Sequence, residues 1–263
     1  MRFKAILLAG VALTALPAMA SASEFIDRGL PDANLNNASG SDRSNVAWGF
    51  AGDFFSGDDF MLPNLDPGKK KWRIDKLTLW TIGGEDTLGD RYGSMSLFLG
   101  PDGDDIPKMS TTSLTGNTAS NPDVSVAEVT YPDTSVSYQG SGGDFLNIWQ
   151  IDFANLGTFD AGLHLFSLAG EGNDPITFNH ASNAALSGTP QDGADGMYRW
   201  FTGASAGSSL GVGGMIDSDG NGWDKSSDIN VQVTATQIPV PASVILLLGG
   251  LLGLAGLSRV RQA

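Results

Sequence analysis

The sequence predicts an all-β chain: a jelly-roll-like antiparallel β-sandwich flanked by an N-terminal signal peptide and a short C-terminal hydrophobic helix. Three observations point there. Short β-like runs with little helical periodicity are separated by clusters of Gly, Asp, Asn and Pro. Of the 29 acids, 25 are aspartate, which suits turns and Asx hydrogen bonds and is a poor helix former. The run 229–236 alternates without a break, with Ile229, Val231, Val233 and Ala235 on one face and Asn230, Gln232, Thr234 and Thr236 on the other. That is the pattern of a half-buried antiparallel strand.

In chain order, Arg2 and Lys4 precede an apolar stretch at 5–16, and small residues follow. Ala18-Met19-Ala20 and Ala20-Ser21-Ala22 both fit an A-x-A cleavage site, so residues 1–22 read as an export signal and the mature chain starts near Ser21 or Ser23. The apolar part is short for an anchor, and Pro17 interrupts it. Strand-like runs follow at 46–50, 72–82, 94–99, 124–131, 145–153, 163–168, 197–202 and 229–236. Eight such runs with turn chemistry between them, in a chain of 35 glycines, suit a sandwich. The segment 110–123 reads as an extended loop, no repeat of fixed period is present, and one domain over 23–237 accounts for the body.

Composition limits what this body can do. Without Arg2, Lys4, Arg259 and Arg261 the basic residues fall from 15 to 11 against 29 acids, a net charge of −18. Nucleic acid is excluded as a partner and an anionic membrane surface is disfavoured, because both demand positive charge. Cations and neutral sugars remain. The chain has no cysteine, so in an oxidising compartment the fold relies on its core alone, which a body of this size can supply.

The segment 238–263 carries the clearest signal. Pro239-Val240-Pro241-Ala242-Ser243 precedes an apolar run over 244–257, and Arg259 and Arg261 follow. Fourteen residues span about 21 Å as a helix, short of a hydrocarbon core of roughly 30 Å. The alternating prolines keep the backbone extended ahead of the helix, as a protease requires. The terminal arginines favour the cytoplasmic side, which puts the body across the membrane, as the N-terminal signal also demands. The same residues are compatible with a plain anchor packing through Gly249 and Gly253.

This tail resembles the PEP-CTERM class of bacterial sorting signals, and within it the VPLPA-CTERM variant, with Ile238 for the usual Val and Val240 for the usual Leu. The Gly-rich helix, with Gly249, Gly250, Gly253 and Gly256, and the basic end match the family as well. The resemblance covers the tail only. It implies export through the secretion translocon, recognition by an exosortase-type membrane peptidase, and a Gram-negative host that makes extracellular polysaccharide. It does not imply where the chain is cut. A second, looser likeness runs from Asp58-Asp59-Phe60 through Trp72-Arg73-Ile74 to Leu79-Trp80, which looks like the start of sandwich domains that accompany such tails. It implies a fold and no activity.

Two binding motifs remain. Asp217, Asp219, Asn221, the Trp223 carbonyl and Asp228 fall at the first, third, fifth, seventh and twelfth positions of a calcium loop of EF-hand type, with Gly222 at the sixth. Asp228 replaces the usual Glu, Lys225 stands at the ninth position, and the flanks read as strand. The same residues also make a solvated hairpin loop; bound calcium would be structural. Tyr198 and Trp200, two residues apart on one strand face, form a candidate sugar-stacking platform, with Trp149 a weaker candidate. The alternative is that these rings fill the core. The acids at Glu85-Asp86 with Asp90, and at Asp102 with Asp104-Asp105, read as solvated turns.

No catalytic set stands out among two histidines, no cysteine and acids too numerous to single out a pair. His164 reads as a half-exposed sheet position. The expectation is a non-catalytic exported surface or extracellular-matrix protein associated with exopolysaccharide or biofilm. Carbohydrate binding is the alternative, and glycoside hydrolysis the third.

Overall fold

A computed structural model describes residues 23–30, 46–48, 54–67, 69–130, 138–139, 145–171, 178–182, 197–203, 207–216 and 228–239. Most of them lie in antiparallel strands arranged as two sheets in a sandwich-like pair. The first sheet runs β1 (Ser23–Arg28), β16 (Val231–Pro239), β4 (Lys69–Gly83), β10 (Phe145–Phe159) and β8 (Val124–Glu128). β12 (Phe178–Ser182) joins it where Asn179 meets Thr81 of β4, and also pairs β2 (Val46–Trp48) and β15 (Asp228–Ile229). β9 (Tyr138–Gln139) pairs the start of β10.

The second sheet runs β14 (Ser209–Ile216), β13 (Tyr198–Thr202), β3 (Phe54–Leu62), β11 (Gly162–Glu171), β5 (Ser94–Pro101), β6 (Asp105–Thr115) and β7 (Thr118–Ala119). It also closes on itself. β14 pairs β6 from Ser209 with Pro107 to Gly211 with Asp105, and the bonds Lys108 N to Ser208 O and Val212 N to Asp104 O extend that ladder. Six strands thus form a ring without a free edge, which removes the exposed backbone of an open sheet.

Two apolar interiors follow from the two-residue alternation of the strands. Between the sheets, Trp72, Ile74, Leu77 and Leu79 of β4 meet Phe60, Leu62, Leu97, Leu99, Phe166 and Leu168 of the second sheet. The step of three from Ile74 to Leu77 marks a bulge. Both neighbours of β4 skip Asp75, pairing Lys76 and then Ile74, so the core-facing parity of β4 changes there. Inside the ring, Phe55 (β3), Phe98 (β5), Ile106 (β6), Leu165 and Ala169 (β11), Phe201 (β13) and Leu210 (β14) pack together, none more than 3% exposed. Gly57 makes the room: a Cβ there would lie 2.0 Å from the Phe166 carbonyl oxygen and 2.5 Å from the Phe201 ring.

All eight runs expected from sequence contain strand. The segment 110–123, expected as a loop, instead continues β6 and turns back through Gly116-Asn117 into β7. Gly116 at φ +59° supplies the positive φ that a two-residue hairpin turn requires. β6 was hidden because Ser110-Thr111-Thr112-Ser113 carries no apolar face to read. His164 also differs from expectation. It is 3% exposed, stacked on Phe60 and edge-on to Phe159, with Nε2 2.9 Å from the Asp160 carbonyl oxygen.

Candidate functional site

The densest polar chemistry among the described residues sits where the last residue of β1 meets the middle of β3 and the start of β15. Alternation along β3 sends Asp58 toward the inter-sheet side, with Phe60, and Asp59 to the opposite face, with Phe55. Each carboxylate meets an arginine. Arg28 Nη1 lies 3.1 Å from Asp58 Oδ2 and 3.3 Å from Asp228 Oδ1, and all three side chains are at most 2% exposed. Arg28 Nη2 also donates to the Asp59 carbonyl oxygen. On the other face, Arg199 Nε donates to Asp59 Oδ2 at 2.7 Å.

Two backbone N–H groups and the Asn230 side chain complete the cluster. The Ile229 N–H reaches Asp58 Oδ2 at 2.7 Å and the Asp59 N–H reaches Asp58 Oδ1 at 2.8 Å. Asn230, the residue between β15 and β16, donates from Nδ2 to the carbonyl oxygens of Arg28 at 2.8 Å and Gly29 at 2.7 Å, and its Oδ1 lies 2.7 Å from His180 Nδ1. Burial pushes the Asp58 carboxyl well above the ordinary carboxylate range; Arg28 pulls it back down, while Asp228 and Asp59 raise it further. Chemically this is a clamp. It ties the outermost strand β1 and the entry to β16 onto β3, between residues up to 202 positions apart.

The calcium-like loop meets this clamp at one residue. Asp217, Asp219, Asn221 and Trp223 lie outside the described residues. Asp228 is buried, with Arg28 beside its carboxylate, so a cation would compete there with a fixed guanidinium. Among the described residues, no group of three or more His, Cys, Asp or Glu side chains is placed to hold a metal ion.

The aromatic candidates separate. Tyr198 is 1% exposed and Trp149 fully buried, both in the inter-sheet core. Trp200 is half-buried, its ring lying over Gly213 so closely that a Cβ there would come within 2.2 Å of it. Tyr198 and Trp200 therefore do not form an open two-ring platform; the sheet that carries them faces its partner at Tyr198. The acidic turns are also tied. Glu85 pairs with Arg91 at 2.7 Å, and Asp90 closes a capping box with Thr87 at the start of α1 (Leu88–Arg91).

The hairpin from β13 to β14 carries two overlapping Gly-x-Ser-x-Gly spacings, 203–207 and 207–211, and 204–206 lie outside the described residues. The hydrolase nucleophile needs a strand, a sharp turn and then a helix. Here the elements on either side, β13 and β14, are two paired antiparallel strands, and Gly203 at φ +142° takes a conformation that side chains resist.

The strand that leads to the tail includes the first two residues of the motif, Ile238 and Pro239. β16 pairs β4 along its length, with Ile238 opposite Lys71 and Pro239 opposite Lys69. Thr236 Oγ1 donates to Asp75 at 2.6 Å, and the Asp66 N–H donates to Gln237 Oε1 at 3.0 Å. Val240, Pro241, Ala242 and Ser243, the apolar run beyond them and the signal peptide at 1–22 lie outside the described residues. Among the described residues no helix is long and apolar enough to cross a membrane. No protein-family model, no curated protein and no solved structure matches the chain.

Proposed function

We propose that the chain is an exported, non-catalytic protein of the cell surface or extracellular matrix. An exosortase-type membrane peptidase sorts it through its C-terminal tail, and it associates with the host's exopolysaccharide. The observation that carries this reading is the order of the tail: a proline-alternating motif, a short apolar run and a basic end. The antiparallel register of β1 with β16 is compatible with it: Ser23 lies opposite Ala235, so the start of β1 and the end of β16 lie at the same end of the sheet. A domain with that layout can be attached at either end to one membrane without unfolding.

Deleting 240–263 tests the reading, since it removes the tail and leaves β16 whole. The shortened protein is expected in the medium, and the full chain in the envelope fraction. Unchanged envelope retention would refute sorting through the tail.

A further inference from the structure

The outer face of the first sheet carries a straight polar row. Asp27 of β1 lies opposite Gln232 of β16, Gln232 opposite Thr78 of β4, Thr78 opposite Asp152 of β10, and Asp152 opposite Ser125 of β8. The row crosses the whole sheet, about 19 Å at the usual interstrand spacing. The residues before and after it on the three central strands, Val231 and Val233, Leu77 and Leu79, Ile151 and Phe153, belong to the inter-sheet core, so alternation turns the row away from that core. Asp27 and Ser125 are exposed at its ends, Gln232 and Asp152 are half-buried, and Thr78 forms its floor.

Hydrogen bonds within the row fix its polarity. Gln232 Nε2 donates to Asp27 Oδ1 at 2.7 Å and Thr78 Oγ1 to Asp152 Oδ1 at 2.6 Å. Gln150, two residues before Asp152 on the same face, donates from Nε2 to that same oxygen at 3.2 Å. Because an ionised carboxylate only accepts, each amide keeps its nitrogen toward the acid and its carbonyl oxygen for another donor. What remains for a ligand is mostly oxygen acceptors, which hydroxyl groups satisfy. The two carboxylates would repel a polyanion, and Lys76 Nζ, 3.8 Å from Asp152 Oδ1, weakens the attraction for a polycation. Asp27 and Asp152 are three interstrand spacings apart, about 14 Å, too far to share one metal ion. Thr234, Ala154 and Ala127 beside the row are small, so a chain can lie along it.

From this we infer that the row is a binding site for an extended, uncharged polysaccharide, laid across the strands with its hydroxyls donating to the row. The inference rests on the exopolysaccharide association proposed above and adds the site and the charge class of the polymer. It uses the first sheet, whereas Tyr198 and Trp200 belong to the second.

The test is native electrophoresis of the mature protein through gels that contain the host's exopolysaccharide, hydroxyethylcellulose as an uncharged extended polymer, or polygalacturonate as a charged one. Retardation by the first two and not by the third is expected. Asp152→Ala and Asp27→Ala should each weaken retardation by hydroxyethylcellulose about tenfold, as the loss of a hydrogen bond to a charged group does. Asp27 is exposed on an edge strand, so its variant keeps the fold. Asp102→Ala, which removes an exposed acid after β5, should change nothing. Either row variant binding as tightly as wild type overturns the row as the site, and stronger retardation by polygalacturonate, or none by hydroxyethylcellulose, overturns the class of polymer. Both results leave the association standing if the host's exopolysaccharide still retards the protein. No retardation by that polymer overturns the association and the inference with it.

Discussion

Inside the closed ring, six strands each contribute an apolar side chain to one packed cluster; at the end of β1, three strands meet instead through Arg28, Asp58 and Asp228. Both interiors join distant parts of the chain, by different physics. The ring is stabilised by burial, about 1.5–3 kcal/mol for each large apolar side chain, and its packed cluster contains no ionisable side chain. The clamp takes three charges out of water and recovers the cost through mutual attraction and backbone hydrogen bonds. Such a device is a poor source of net stability and a good source of position, because each ion accepts few other neighbours. It falls on β1, which lies at the edge of the first sheet and packs on β16 alone among the strands paired along that sheet.

The largest effect is expected from Phe201→Ala, which empties the centre of the ring and should cost about 3–5 kcal/mol in chemical denaturation, equally at pH 5 and pH 7.5. Arg28→Met should cost a similar amount, about 3–5 kcal/mol near neutral pH, because it strands two buried carboxylates. Unlike the ring variant, it should cost less in acid. The folded pKa of Asp58 is raised, so its contribution to stability is fully present below the unfolded carboxyl pKa of about 3.9 and is lost as pH rises through the folded value. Removing Arg28 raises that value further and steepens the loss. Equal deficits at both pH values would show that the clamp is packing rather than charge.

Asp228→Asn should cost about 1.5–3 kcal/mol, the range for a hydrogen bond to a charged group, and should cost the same in millimolar calcium as in chelator. A loss seen only with calcium would make Asp228 a metal ligand in place of a counter-ion. The smallest effect is expected from Asp58→Asn. It mimics the protonated acid, so its melting point relative to wild type should rise as pH goes from 4 to 7.5. A flat difference across that range would remove Asp58 as the titrating member.

The sequence carried the sandwich more clearly than the clamp. Alternation such as that in 229–236, and apolar density in 72–82, gave the strands of the first sheet because one face of each is buried. β3, β6 and β14 were hard to see for physical reasons: Asp58 and Asp59 interrupt the first, hydroxyl residues fill the second, and four glycines, at 207, 211, 213 and 214, lie in or beside the third. In sequence the clamp is three isolated charges at 28, 58 and 228, with no spacing to read, and only the fold brings them together. The paired Asp58-Asp59 did stand out, as part of a strand motif. That they point to opposite faces, each toward its own arginine, follows from alternation once β3 is known to be a strand.

The central claim, that Arg28 and Asp228 act as one charged unit in fastening β1 and β15 to β3, is tested most directly by a double-mutant cycle with Arg28→Met, Asp228→Leu and the pair, measured by chemical denaturation at pH 7. If the clamp acts as a unit, the double variant is less destabilised than the sum of the singles, with a coupling energy of about 1–3 kcal/mol. Additivity within about 0.5 kcal/mol would mean that the two residues stabilise the fold independently, and would contradict the account.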